Sequence, residues 1–179
     1  MRIEKAFADL VAAIAPKHGL DVDLIEAVIL TESSGQFHAY RFEPAFWDRY
    51  LKNHPDYRHM LPRTAAASYG LMQLMYPTAR QEGFTGKPWE LFDPSINIEY
   101  GCRHLARHLA WADSHDENNV GIFTLTELRS ALAAYNGDRQ GNEPDANPDR
   151  NAVYADKVLN NRRLVITAKA QAARDAAVR

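Results

Sequence analysis

Apolar residues recur along this chain at helical spacing, three or four positions apart, far more often than in strand-like alternation. Phe7, Leu10, Val11 and Ile14 mark a first helix, and Gly19 supplies its stop. A second is predicted to start near Asp21 to Asp23, where a side-chain oxygen can cap free amides and Asp23 with Glu26 can form a capping box. Ile25, Val28 and Ile29 make its inner stripe, and it runs to about Ser33 with Gly35 as terminator.

Residues 36–63 differ in texture. Phe37, Tyr40, Phe42, Phe46, Trp47 and Tyr50 crowd one short span, with Pro44 placed to begin a helix. Pro77 and Pro94 mark two further helix starts, the second with Asp93 as its cap. From Pro94 a long helix aligns Ile98, Cys102, Leu105, Leu109 and Ala112 on one stripe. Thr124 and Glu127 form a capping box ahead of Leu128, Leu132 and Tyr135. Residues 137–150 read as loop by composition, and Asn147-Pro148 opens a last helix through Val153, Lys157 and Leu164 into the alanine-rich tail. Strand signals are weak and no repeat of fixed period is present. The expected fold is all-α, a single domain over 1–179 with its core at about 8–160, the insert 36–63, and a C-terminal helical tail at 161–179.

Composition sharpens this picture. The chain has 179 residues, 46% hydrophobic and 25% charged, enough apolar content for a proper core. A net charge of −2 and the lack of a long Lys/Arg run argue against nucleic acid or a membrane surface as partner. Cys102 is the only cysteine, which excludes an intrachain disulfide and a Cys-rich metal site. The N-terminal stretch is interrupted by Glu4 and Asp9 and reads as an amphipathic helix, so no export address is expected. No apolar run approaches the roughly 20 residues that span a bilayer.

Glu32 is the chemical anomaly. It lies four residues beyond Val28 and three beyond Ile29, so it extends an apolar stripe with a carboxyl group. Burial and the negative end of the helix dipole both favour its neutral form, and a carboxylic acid kept protonated near neutrality is what glycosidic bond cleavage requires. A carboxylate that merely ends a helix, paired with an arginine or reaching solvent, has the same position.

Four segments narrow the choice: Glu32-Ser33, the run Tyr69 to Ala79 containing Gly70-Leu71-Met72-Gln73, the run Leu91 to Ile98, and Ala133-Ala134-Tyr135-Asn136. In this order they resemble the catalytic domain of the soluble lytic transglycosylases, a lysozyme-like fold, over about residues 8 to 160. The resemblance implies that Glu32 is the sole acid and base, cleaving the β-1,4 bond between N-acetylmuramic acid and N-acetylglucosamine in peptidoglycan and leaving a 1,6-anhydro sugar. It implies substrate-binding roles for Ser33, Gly70, Leu71, Met72, Gln73, Tyr135, Asn136 and Tyr154, the last with its hydroxyl near the catalytic carboxylate. Ser33 equally suits a helix-end hydroxyl bonding backbone, Tyr135 an ordinary core aromatic, and Leu71 and Met72 filler beneath the groove.

The chain departs from the family in three places. The link between the Glu-Ser and Gly-Leu-Met-Gln motifs is longer, Ala67 stands where the family commonly has glycine, and Asn136-Gly137-Asp138 replaces Asn-Ala-Gly. The longer link carries the aromatic insert, either a lid over sugar subsites or a helix packed on the core, and it brings Glu43. One rival reading is therefore a muramidase that hydrolyses the same bond with Glu43 as second carboxylate, and another a glycan-binding module without turnover. His104 and His108 sit one helical turn apart but lack a third ligand, and they are read as a polar helix flank with no metal. No cofactor is implied, and a monomer acting on glycan strands is expected. Without an export address it would reach the wall through lysis, a phage or secretion particle, or a non-classical route.

Overall fold

A computed structural model of the protein describes residues 2–114, 123–137 and 152–177. Of the loop expected at 137–150, Gly137 is the last residue of a helix, and the rest, with Asp138 and the helix start at Asn147-Pro148, lies outside the described residues. Helix α1 (Lys5–Ile14) buries Phe7, Val11 and Ile14, and a 3-10 turn (Ala15–His18) extends it to Gly19. Gly19 takes φ +68°, a left-handed stop that glycine adopts without a Cβ penalty.

Helix α2 (Val22–Glu32) begins at Asp21, whose carboxylate accepts the Leu24 N–H at 2.8 Å. The expected Asp23–Glu26 capping box does not form. The helix starts earlier, so these two residues fall three apart on one face, where Lys169 Nζ meets both at 2.6 and 2.7 Å. Leu24 to Leu30 are all buried, so α2 is the central rod of the molecule.

The short insert elements come next: strand β1 (Tyr40–Phe42), helix α3 (Pro44–Phe46) running into a π turn (Trp47–Leu51), and helix α4 (Pro62–Ala65). Phe42, Phe46, Trp47, Tyr50, Tyr57 and Met60 gather around the buried Leu51, Ala65 and Ala66. Most insert aromatics thus build a small core of their own, because a span this rich in rings can bury them against each other. Phe37 and Tyr40 remain exposed.

Strand β2 (Ala67–Tyr69) pairs antiparallel with β1 and with β3 (Leu74–Met75), giving the order β1-β2-β3. The register sets Tyr40 against Tyr69, Arg41 against Ser68 and Phe42 against Ala67. The sequence pattern predicts no sheet, and the reason is length, since strands of two or three residues are too short to display alternation.

Helix α5 (Tyr76–Gln81) starts with Pro77 in its first turn. In α6 (Pro94–Ser114) the predicted stripe of Ile98, Cys102, Leu105, Leu109 and Ala112 is buried, and Asp93 Oδ1 caps the Ser95 and Ile96 amides at 2.8 and 3.1 Å. Helix α7 (Leu125–Gly137) opens with the predicted Thr124–Glu127 capping box.

Helix α8 (Ala152–Ala177) lies along α2 and α7, burying Ala155, Val158 and Val165. Val153 and Leu164 face solvent instead. Val165 and Lys169 belong to the predicted tail, yet they pack on or bond to the body through α2. The main core therefore joins α1, α2, α6, α7 and α8, and the sheet with its short helices sits at the C-terminal end of α2. Among the described residues, no helix is long and apolar enough to cross a membrane.

Candidate active site

Glu32 is the last residue of α2, directly beyond the fully buried Val28 and Ile29. Ser34 and Gly35 follow with φ +55° and +81° and turn the chain away, leaving Glu32 as a half-buried residue at the helix end. Tyr154 of α8 donates its hydroxyl to Glu32 Oε1 at 2.6 Å. Burial raises the Glu32 pKa above the ordinary glutamate value, and it outweighs the opposing Tyr154 hydrogen bond and the charges of Arg41 and Lys157. Burial and the neighbouring Glu32 hold the Tyr154 hydroxyl well above 10, so it remains a donor.

Ser33, the residue after Glu32, is tied to a single turn, Tyr69 to Gln73, which is clamped from three sides. Ser33, almost fully buried, places its hydroxyl 2.8 Å from the Leu71 carbonyl and 3.1 Å from that of Ile29. Tyr135 reaches over from α7 and donates to the Met72 carbonyl at 2.9 Å. Asn97 of α6 is fully buried, and its Nδ2 donates to Tyr69 O at 2.8 Å and Leu91 O at 2.9 Å while Oδ1 accepts the Met72 N–H at 2.7 Å. One carboxamide thus satisfies two backbone groups of the turn and the Leu91 carbonyl beside it.

The same clamp explains Gly70. Its φ is +72°, and a Cβ there would sit 2.6 Å from Asn97 Nδ2 and 2.7 Å from Leu91 O. The demand for glycine comes from the protein side of the turn. Gln73, at φ +47°, spends its amide donors on Gly70 O and Ala39 O at 3.0 and 3.2 Å, which fastens the turn to the chain just before β1.

The structure places Leu71 and Met72 as fully buried residues, which is the filler reading and not a direct substrate role. Ser33 and Tyr135 have hydroxyls committed to backbone carbonyls and brace the turn, whereas Asn136 is exposed on the last turn of α7. Of the residues expected to bind substrate, Tyr154 is the one hydrogen-bonded to the Glu32 carboxyl in the described structure.

His104 and His108 are not a polar flank. Both are buried, their rings lie 4.6 Å apart, and His104 Nδ1 lies 2.9 Å from Glu82 Oε1, to which Arg107 also donates at 2.8 Å. Among the described residues, no group of three or more His, Cys, Asp or Glu side chains has the arrangement to hold a metal ion. His104 also packs 5.2 Å from the Tyr135 ring. With Asn97 and Gly101, these histidines are spaced four, three and four residues apart, a second stripe on α6 beside the apolar one. Gly101 leaves room for Met72, whose sulfur a Cβ would meet at 2.5 Å. That small-and-polar stripe is the sequence signal that could have revealed Asn97.

Glu43 forms an ion pair with Arg41. The positive charge of Arg41 on β1 favours the charged form of Glu32.

The family model described as Transglycosylase SLT domain matches residues 9–152, which include Glu32, the clamped turn and Tyr135. No solved structure matches the chain significantly. A mainly helical frame that ends its central helix on a raised carboxyl, together with a family match over most of its length, leads to one conclusion: the chain belongs to the lysozyme-like transglycosylase SLT domain family, whose general role is glycan cleavage.

Proposed function

We infer that the protein is a peptidoglycan lytic transglycosylase in which Glu32 alone serves as acid and then base. The observation that carries this is the carboxyl at the end of α2, held towards its neutral form by burial and bonded by one tyrosine hydroxyl at 2.6 Å.

Tyr154 donates to Oε1, so the acid proton resides on Oε2. Delivered to the glycosidic oxygen between N-acetylmuramic acid and N-acetylglucosamine, it lets the C1–O bond break. The N-acetyl group of the muramyl residue stabilises C1 as positive charge develops. Glu32, now a carboxylate, is supported by the Tyr154 hydrogen bond and the Arg41 and Lys157 charges, the same features that oppose its burial in the resting enzyme. It removes the proton from the muramyl C6 hydroxyl as that oxygen bonds to C1. One C–O bond breaks, another forms, and no water is consumed. The clamped turn holds Ser33 and with it the end of α2 in place through the cycle, which favours a fixed geometry for proton transfer.

Mass spectrometry of digested cell walls tests the reaction. The expected muramyl products are one water lighter than hydrolysed ones, and their absence from an active digest would establish hydrolysis instead. Glu32→Gln is expected to retain glycan binding and lose turnover; clearing of wall suspensions at the parent rate would refute the assignment of Glu32.

A further inference from the structure

Helix α8 carries Tyr154 to the acid, and few of its contacts fix where along α2 it comes to rest. Its buried residues are Ala155, Val158 and Val165, small apolar groups whose attraction to the core has no direction. Register therefore falls to polar contacts. Among the described residues, Asp156 pairs with Arg129 of α7 at 2.7 Å, Arg162 with Asp21 at 3.0 Å, and Lys169 with Asp23 and Glu26 at 2.6 and 2.7 Å. Each of these runs through a long arginine or lysine chain, and the first two stand half in solvent, so they follow the helix if it slides.

One contact is stiffer. Asn161 Nδ2 donates to Thr31 Oγ1 at 2.9 Å, half-buried between the two helices, and Thr31 Oγ1 donates in turn to Ala27 O at 2.7 Å. The second bond pins the threonine hydroxyl to its own helix, so the acceptor has a fixed place on α2. Both side chains are short, and a hydrogen bond between them survives only within a narrow range of distance and angle. Thr31 immediately precedes Glu32, and Asn161 lies seven residues beyond Tyr154, two turns along the same face of α8 and about 10 Å up its axis. The helices are thus joined twice near the acid, by Asn161 to Thr31 and by Tyr154 to Glu32 Oε1 at 2.6 Å.

Resting on the reading of Glu32 as proton donor, we propose that Asn161 is a positioning residue: through Thr31 it sets the register and rotation of α8 on α2, and so brings the Tyr154 hydroxyl to Glu32. It acts through the tyrosine and not on the sugar.

The test crosses Asn161→Ala and Thr31→Val, each of which removes one half of the bond, with Tyr154→Phe. Two quantities are read: kcat and KM on soluble glycan strands, and the Glu32 titration followed by carbon NMR. Each of the first two variants is expected to lower kcat about three- to tenfold with KM close to the parent, and the two together to cost no more than either alone. The Tyr154 bond lowers the Glu32 pKa, so Tyr154→Phe moves the titration up in the parent. In the Asn161→Ala and Thr31→Val backgrounds that displacement is expected to shrink to less than half, because the hydroxyl is already misaligned. Arg41, Lys157 and Tyr135 are present in both arms of each comparison, so their effects cancel in the difference. Thr31→Ser keeps the accepting hydroxyl and is expected to keep the full displacement. A full displacement in either Asn161→Ala or Thr31→Val, or a parent kcat in Asn161→Ala with only its Tm lowered, would reduce Asn161 to a packing contact and overturn the proposal. Thr31→Val preserves the shape of the side chain and carries the test if Asn161→Ala does not fold. The NMR displacement does not depend on turnover, so it decides the positioning even where Glu32→Gln clears walls and the functional reading fails.

Discussion

The two ends of α2 carry acidic residues against the same neighbour, α8, and the structure treats them in opposite ways. At the N-terminal end Asp21 meets Arg162 at 3.0 Å, while Asp23 and Glu26 share Lys169 at 2.6 and 2.7 Å. At the C-terminal end Glu32 meets the Tyr154 hydroxyl. Glu26 is 3% exposed, more deeply buried than half-buried Glu32. Burial alone therefore does not make the proton donor. What distinguishes Glu32 is that α8 gives it a neutral hydrogen-bond donor in close contact, leaving burial to dominate its titration.

The strongest way to break this comparison is Glu32→Gln. We expect wall-clearing activity to fall by about 10³-fold or more, the scale of losing a positioned general acid. The same variant sharpens the contrast through stability. The Glu32 pKa is raised on folding, so the folded state binds its proton more tightly, and the associated stability is present at low pH and lost as pH rises through the folded value. A permanently neutral glutamine escapes that loss, and calorimetry at pH 7 is expected to show a Tm higher by about 2–4 °C.

Tyr154→Phe is expected to act next most strongly. Removing the hydroxyl lowers the rate by about 10- to 100-fold, because the carboxylate formed after proton delivery loses its hydrogen bond. That bond opposes the raising of Glu32, so the alkaline limb of the pH profile moves to higher pH. A limb displaced to lower pH would contradict the assigned role of the tyrosine.

At the other end, Lys169→Met leaves the buried Glu26 without its cation. Chemical denaturation is expected to show a loss of about 2 kcal/mol, with turnover per folded molecule unchanged. Adding Glu26→Gln to that variant should recover part of the loss, since the unpaired group is then neutral. Arg162→Gln is expected to cost least, about 0.5 kcal/mol, because its pair with Asp21 is half exposed and Asp21 keeps its capping bond to Leu24.

Much of the frame was legible in the residue pattern because it rests on local rules. Asp93, the Thr124–Glu127 box and the stripe from Ile98 to Ala112 follow from helix caps and a 3.6-residue period, and each is found in the structure. The inward aim of Glu32 follows from the same period. The capping box expected of Asp23 and Glu26 does not form because Asp21 caps α2 instead, and both residues then lie within the helix, where Lys169, 143 residues or more away, bonds them. His104 and His108 were misread for a related reason, since their burial depends on Glu82, Arg107 and the Tyr135 ring arriving from other elements or turns.

The turn from Tyr69 to Gln73 shows the limit most clearly. Its motif drew attention to Leu71, Met72 and Gln73, whereas the residue that organises the turn is Asn97, which reads as an ordinary helix position when only its own neighbourhood is considered. Gly70 looks permissive from sequence, yet it is required by the Asn97 carboxamide pressed against it.

The sequence by itself determined the long helices, the caps of α6 and α7 and the inward placement of Glu32, because each depends on residues no more than a few positions apart. Tertiary structure alone decided which carboxyl meets a cation and which meets a hydroxyl, because Tyr154 lies 122 residues from Glu32 and their contact is set by how α8 lies along α2. No local period encodes that relation. A shift of one helical turn would bring different side chains to Glu32, and with them a different charge state.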